Sequence, residues 1–238
     1  MSYNERFDKR KFDELRPIAA KAGVIKNADG SAWFKIGKTE AYAAVYGPRD
    51  LYPRFMKDPL KGVLRCNYSM MPFSGSGERV RPGQNRRAKE ISMVTAKALE
   101  PVLDLSEFPN SVVDVYIDLP QTDAGSRCAG ICAAAMALAD AGIPMKDMVA
   151  AIAVGRIGDK VLVDLSYDEE AFKEEIVADI PISVIHNSEE ISLLQMDGEV
   201  PRDMMMDAIK IGIAASKKIH EIQLKALKDK YSQGGSNE

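Results

Sequence analysis

The chain has 238 residues, 46% of them hydrophobic, and a formal net charge of −3. That length and apolar content suffice for one large domain or two small ones with a sizeable core, while the charge excludes a globally basic nucleic-acid binder, so any contact with RNA or DNA must be a local patch or channel. Three cysteines, Cys66, Cys128 and Cys132, with no metal-ligand spacing, predict a reducing compartment rather than a disulfide framework or a metal site. Residues 1–6 are polar and read as no secretory signal. The longest apolar run, around 129–139, is too short and too rich in alanine to span a membrane.

Residues 1–18 are charged and predict an arm or short helix held by a few apolar groups. Strand-like segments follow around 23–27, 32–36 and 39–46, separated by turns at 28–31 and 37–38 where glycine fits tight hairpins. Gly47-Pro48-Arg49-Asp50 breaks this meander, and residues 48–59, with three prolines, read as a surface loop. The segment 62–70 predicts a strand with Arg65 and Asn67 on one face and Cys66 and Tyr68 on the other. Residues 74–89 are rich in Gly and Pro and carry Arg79, Arg81, Arg86, Arg87 and Lys89 against a single acid, Glu78. Such a stretch can follow a phosphodiester backbone or be a solvated loop; the Arg86-Arg87 pair opening the next helix, over about 89–103, favours the former.

The segment 112–119, rich in β-branched residues, reads as a strand, and 128–140, almost all Ala, Gly, Cys, Ile, Met and Leu, as a buried helix. Between them lies Gln121-Thr122-Asp123-Ala124-Gly125-Ser126-Arg127. A strand-to-helix turn ending in Gly-Ser-Arg aims free N–H groups outward at the positive end of a helix dipole. Gly125 admits an anion to the backbone, Ser126 can cap and donate, and Arg127 adds a permanent charge. Local chemistry leaves two readings open: a site for phosphate or a similar oxyanion, or a serine-capped helix whose arginine reaches solvent.

Residues 141–144 stop that helix, and 148–157 with 160–165 predict a hairpin across Gly158-Asp159. The acidic segment from Asp168 to Glu175 reads as a solvated face. Asp179, alone at the start of the apolar strand 180–184, is different: there it can hold a divalent cation or donate a proton. A last strand spans 191–196, and Asp197-Gly198 turns away from it. From 201 to about 231 the pattern is helical, and the tail 232–238 reads as disordered. His186 and His220 have no Ser or Cys motif to serve, which argues against histidine-based nucleophilic catalysis. This order of elements predicts an α+β or layered α/β fold.

Seven motifs in register carry a further meaning. They are Lys-Phe-Asp-Glu-Leu-Arg-Pro-Ile at 11–18, Asn-Ala-Asp-Gly-Ser at 27–31, Tyr-Gly-Pro-Arg at 46–49, Met-Pro-Phe-Ser at 71–74, the stretch 121–127, Ala-Asp-Ala-Gly-Ile-Pro-Met at 139–145 and Gln-Met-Asp-Gly at 195–198. Together they resemble the ribonuclease PH family and, within it, the catalytic ring subunits of archaeal exosomes. The resemblance runs from about residue 8 to 230 and implies one ribonuclease PH-like α+β domain over 1–238, with mixed sheets packed by helices and a long C-terminal helix. It implies a 3′→5′ phosphorolytic exoribonuclease that releases nucleoside diphosphates and, run backwards, tails RNA. Gly125, Ser126 and Arg127 would hold the attacking phosphate, and Arg86 and Arg87 the RNA phosphates near the cleaved bond. Asp179 would assist as metal ligand, for Mg²⁺ or Mn²⁺, or as proton donor. Arg65 would correspond to the strand arginine near the ring's neck and Tyr68 to a base-stacking tyrosine. The implied partners are single-stranded RNA, a related inactive subunit completing a hexamer of three heterodimers, and RNA-binding cap proteins, in the cytoplasm and away from membranes. A non-catalytic RNA-binding ring subunit and a homohexameric tRNA-trimming ribonuclease PH are the alternatives.

Three departures from the family pattern bear on the site. Asp8-Lys9-Arg10 stands where the family has Asp-Gly-Arg, and Asn67 where many relatives carry arginine. The segment before Asp179 is longer than usual and lacks a Gly-Glu, leaving Glu174, Glu175 or neither as a second metal-binding acid. Gln121 and Asp123 are expected to shape the turn.

Overall fold

A computed structural model describes residues 3–76, 80–83 and 85–233. Among these residues two sheets and four α-helices form an α+β fold. The first sheet has the order β1-β2-β3-β5-β4, built from β1 (Ile18–Ala22), β2 (Gly30–Ile36), β3 (Thr39–Asp50), β4 (Val63–Met70) and β5 (Ser111–Gln121). It is mixed, because β4 and β5 run parallel and are joined through α1 (Arg86–Leu99). The second sheet, β7-β6-β8-β9, is antiparallel: β6 (Val149–Ile157), β7 (Lys160–Val163), β8 (Val177–Ile185) and β9 (Ile191–Leu194). A short helix α3 (Tyr167–Glu170) and the long α4 (Arg202–Gln233) complete it.

Helix α2 (Ser126–Asp140) is the centre of the core. It touches β2, β3 and β5 of the first sheet and β6 and β8 of the second. A helix buried on all sides must be apolar on all sides, which is why its sequence shows no amphipathic stripe. Its small residues let the first sheet approach closely: a Cβ on Gly130 would lie 3.3 Å from Ile117 Cγ2 on β5 and 3.5 Å from Tyr68 Cε2 on β4. The three cysteines are free and buried, as small core residues. Helix α4 packs on β1, β6, β7 and β8. Its buried Gln223 donates to the carbonyls of Cys132 and Val149, both at 3.2 Å.

Several sequence expectations shift. The first strand is 18–22 rather than 23–27, because Gly23 turns out of it at φ 69° and β1 pairs with 32–36 instead. The meander does not break at Gly47; β3 continues to Asp50 through an irregularity between Tyr46 and Arg49, where a Cβ on Gly47 would sit 2.6 Å from Val112 O. Helix α1 begins at Arg86, three residues early, since Asn85 Oδ1 accepts from the Ala88 N–H at 2.8 Å and caps it there. Pro101 sits in a 3₁₀ turn, 100–102, that follows α1. Helix α4 includes Ser232 and Gln233, which the expected tail had claimed; 234–238 lie outside the described residues.

The arm is neither a helix nor held only by apolar groups. Arg6, 2% exposed, donates to both carboxylate oxygens of Glu169 at 2.8 and 2.7 Å and to the carbonyls of Val163 and Asp164, both at 2.8 Å. Tyr3 donates its hydroxyl to the same Glu169 at 2.8 Å. The run 168–175 is therefore not a plain solvated face. Lys9, where the family has glycine, adopts the left-handed region at φ 62°, so the arm's turn is kept with a side chain in it.

Candidate active site

The turn from β5 into α2 forms one wall of a cavity of about 540 Å³. Ala124 and Gly125 are both left-handed, with φ 58° and 62°, and Gly125, not Ser126, is the cap residue. The serine is thus released from capping, and the open first-turn N–H groups of α2 remain available to a ligand. Two residues from elsewhere hold the turn from behind. The Thr39 hydroxyl donates to Ala124 O and accepts from the Asp123 N–H, both at 2.8 Å. Arg16 donates to Asp123 O and is fixed by a bidentate pair with Asp164, at 2.9 and 2.6 Å. Asp123 shapes the turn as expected, also accepting from the Tyr167 N–H at 3.2 Å.

The first turn of α1 enters the same cavity through Asn85, Arg87 and Ala88. Neither α1 nor α2 has an acid in its first turn; Arg86-Arg87 begin one and Ser126-Arg127 the other. Arginines at the positive ends of two helix dipoles are unfavourable for an empty fold and favourable for a bound anion. Arg127 donates to Gln195 Oε1 at 2.7 Å.

The opposite wall carries acids. Asp179, on β8, exchanges backbone hydrogen bonds with Asp197, both at 2.9 Å. Its Oδ1 is buried with no hydrogen-bond partner among the described residues. Burial, the largest cause, and the nearby Asp197 push its carboxyl up to about 6, while Arg127 and Arg87 pull the other way. Glu170, from α3, lines the cavity too; burial and then the charge of Asp179 push it up to about 7, against the Gly125 backbone, Arg16 and Arg87. Two neighbouring carboxylates whose ionisation is pushed up towards neutrality, beside two arginines, are the pattern of an acid–base or ion-binding site.

The structure thus brings Tyr68, Arg87, Gly125, Ser126, Arg127 and Asp179 around one cavity. Arg86 is exposed in the first turn of α1 and is not in the lining. Arg65 lies on the other face of β4, in a bidentate pair with Asp114 at 2.5 and 2.9 Å, with its side chain 44% exposed. Tyr68 requires a correction: at 4% exposure, with its ring edge against Gly130, it offers no open face to a base and is instead part of the cavity wall. Glu175 accepts from the Tyr3 N–H at 2.9 Å, and neither it nor Glu174 lines the cavity. Arg79 and Glu78 lie outside the described residues.

Glu170, Asp197, Arg16 and Thr39 were missed. Glu170 was hidden in an acid run, although Glu169 reaching back to the Ser166 N–H at 2.8 Å is a local signal of a helix start. Asp197 looked like an ordinary Asp-Gly turn. Arg16 and Thr39 carry no local signal, because their partners lie 84 to 148 residues away.

Among the described residues no three acidic, His or Cys groups are gathered to cage a metal ion. The donor set fits a divalent cation of the kind held by one or two carboxylates together with water and phosphate oxygens, for which the orphaned Asp179 Oδ1 would be a ligand.

Residues 14–144 match the profile of the 3′ exoribonuclease family, domain 1, and residues 147–215 that of its domain 2. The exosome complex component Rrp41 of Thermococcus kodakarensis is 48% identical over 227 residues, covering 95% of this chain and 90% of its own. Among solved structures, rice Rrp46 superposes with a TM-score of 0.81 at 26% identity, covering 93% of this chain and all of that one. A chain of the Archaeoglobus fulgidus exosome with RNA bound to the active site superposes at 0.78 and 24% identity, covering 92% of each chain, which speaks for the fold. Both family profiles in order, and near-half identity along almost the whole length, make this chain a member of the 3′ exoribonuclease, or RNase PH, family.

Proposed function

We propose that the chain is a phosphorolytic 3′→5′ exoribonuclease, the catalytic subunit of an archaeal exosome ring. The observation that carries this reading is the convergence of Arg87, Arg127 and two acid-free helix N-termini on a cavity that also holds Asp179. RNA and phosphate are both anions, so they meet only where fixed cations offset their repulsion. Inorganic phosphate sits on the turn Gly125-Ser126-Arg127. Arg87 takes the phosphate of the terminal linkage; Arg86, exposed outside the cavity, meets an RNA phosphate further along, and Arg65 offers RNA only the exposed part of a guanidinium already paired with Asp114. A phosphate oxygen attacks the last phosphorus, the bond to the preceding 3′-oxygen breaks, and a nucleoside diphosphate leaves. Asp179, ionising near pH 6, holds the proton that the departing 3′-oxygen takes up. In the alternative role the ionised Asp179 carboxylate, with Glu170 or Asp197 in reach, would hold Mg²⁺ or Mn²⁺, which would supply charge neutralisation at the reacting phosphate, the proton then coming from elsewhere. The same site run in reverse adds nucleotides to RNA. No cysteine or histidine nucleophile is required, because phosphate is the nucleophile.

The exosome assignment rests on the relative from Thermococcus kodakarensis, described as an exosome complex component. On that reading the partners are single-stranded RNA, a related inactive subunit in a hexamer of three heterodimers and RNA-binding cap proteins, in the cytoplasm. No helix among the described residues is long and apolar enough to cross a membrane. The test is to incubate the chain, alone and with its candidate ring partner, with RNA and Mg²⁺ in the presence and absence of phosphate. Nucleoside diphosphates appear only with phosphate, and Asp179→Ala abolishes them while ring assembly survives. Equal degradation in both conditions would overturn the phosphorolytic reading.

A further inference from the structure

Tyr68 has no role in the reaction as described, yet its environment is unusual. It stands in β4 on the core side, 4% exposed, among residues that a phenylalanine would suit equally well. Its hydroxyl is buried and has no hydrogen-bond partner of normal geometry among the described residues. Leaving a buried hydroxyl unpaired is costly, and native folds seldom do so without a reason. The hydroxyl lies beside Ser126 and in the field of Arg87 and Arg127, and all four residues line the same cavity. The cavity contains a second orphan of this kind, Asp179 Oδ1. Two unpartnered buried oxygens in the field of the same two arginines mark a site whose hydrogen bonding is completed only when a ligand binds.

We infer that Tyr68 is a positioning residue of the anion cradle: its hydroxyl donates to Ser126 Oγ when an oxyanion is bound, which directs the Ser126 proton to an oxygen of that anion. This rests on the reading of Gly125-Ser126-Arg127 as the phosphate site. The geometry explains why the cap at the start of α2 is a glycine. A serine occupied in capping its own helix has no free donor, whereas Ser126 in the first turn, steered from β4, does. It also explains how a residue with its ring against Gly130 contributes to a ligand site while staying in the core.

Tyr68→Phe removes one oxygen and leaves the packing intact, so the fold survives the test. Binding of inorganic phosphate to the full chain is measured by titration calorimetry without RNA, and phosphorolysis is followed as KM for phosphate against kcat. The variant is expected to weaken phosphate binding and raise that KM by about fivefold, with kcat within about twofold of wild type. Affinity for RNA in phosphate-free buffer and the melting temperature are not lowered. In a Ser126→Ala background the same change has less than about a twofold effect, because nothing remains to be steered. Unchanged phosphate affinity, an equal loss with and without Ser126, or a matching loss of RNA affinity overturns the inference. Wild-type protein that fails to bind phosphate removes the reading of the cavity and this inference with it. Wild type that binds phosphate no better than Tyr68→Phe overturns this inference alone.

Discussion

Replacing Asp179 with asparagine should abolish activity and stabilise the fold at the same time. The carboxyl lies near the start of β8, its Oδ1 enclosed and unpaired among the described residues and Asp197 beside it, and its ionisation is pushed up from 3.8 to about 6. An acid whose native pKa is raised keeps its proton in the fold after the unfolded chain has released it. Stability therefore falls as pH rises from about 4 to about 6 and stays low above that. At about 1.4 kcal/mol per pH unit, the ionised group costs the native state roughly 3 kcal/mol at pH 8. Asparagine keeps the shape and cannot ionise. In phosphate-free buffer with chelator, its melting temperature at pH 8 should exceed that of wild type by about 6–12 °C, at roughly 2–4 °C per kcal/mol for a chain of this size. At pH 4 the two should coincide. Differential scanning calorimetry at both pH values gives the comparison. An asparagine variant no more stable than wild type at pH 8 would falsify the idea that the site is electrostatically strained for function.

Arg127→Gln removes a charged donor from the cradle and should weaken phosphate binding by about 10–100-fold, read as a rise in KM for phosphate. Arg6→Met strands Glu169, whose side chain is fully buried, and should lower the unfolding free energy by about 3–5 kcal/mol in urea melts; a loss below about 1 kcal/mol would show that the arm network is not what holds residues 3–16 in place. Lys9→Gly relieves an exposed left-handed residue at φ 62° and should add about 0.5–1 kcal/mol to stability, with activity unchanged.

Local pattern accounts for most of the elements. Alternation along β4 separates Arg65 from Cys66 and Tyr68, and packing turns the latter pair to the core; the uniformly apolar run before Asp140 means a buried helix. Where the reading slipped, a non-local partner decided. β1 starts at Ile18 because its backbone finds Ile36, and β3 passes Gly47 because β5 continues beside it. Glu169 and Glu170 are adjacent in one acidic run. One is locked under Arg6 and the other lines the cavity at about pKa 7, a difference fixed by what each faces.

The sequence by itself determined the chemistry of the anion turn, the arginine pair and the lone acid, because charge type and strand-to-helix punctuation are local properties. Tertiary structure alone decided which of these meet. It brought Arg87 and Asp179 to one cavity, added Glu170, Asp197 and the Arg16 and Thr39 braces, and left Arg86 and Arg65 outside. It also encloses Tyr68, which the resemblance implies to be a base-stacking tyrosine, and leaves its hydroxyl buried at the cradle's edge. The physical reason is that burial and partner distance, which set both pKa and accessibility, depend on contacts between residues dozens to more than a hundred positions apart.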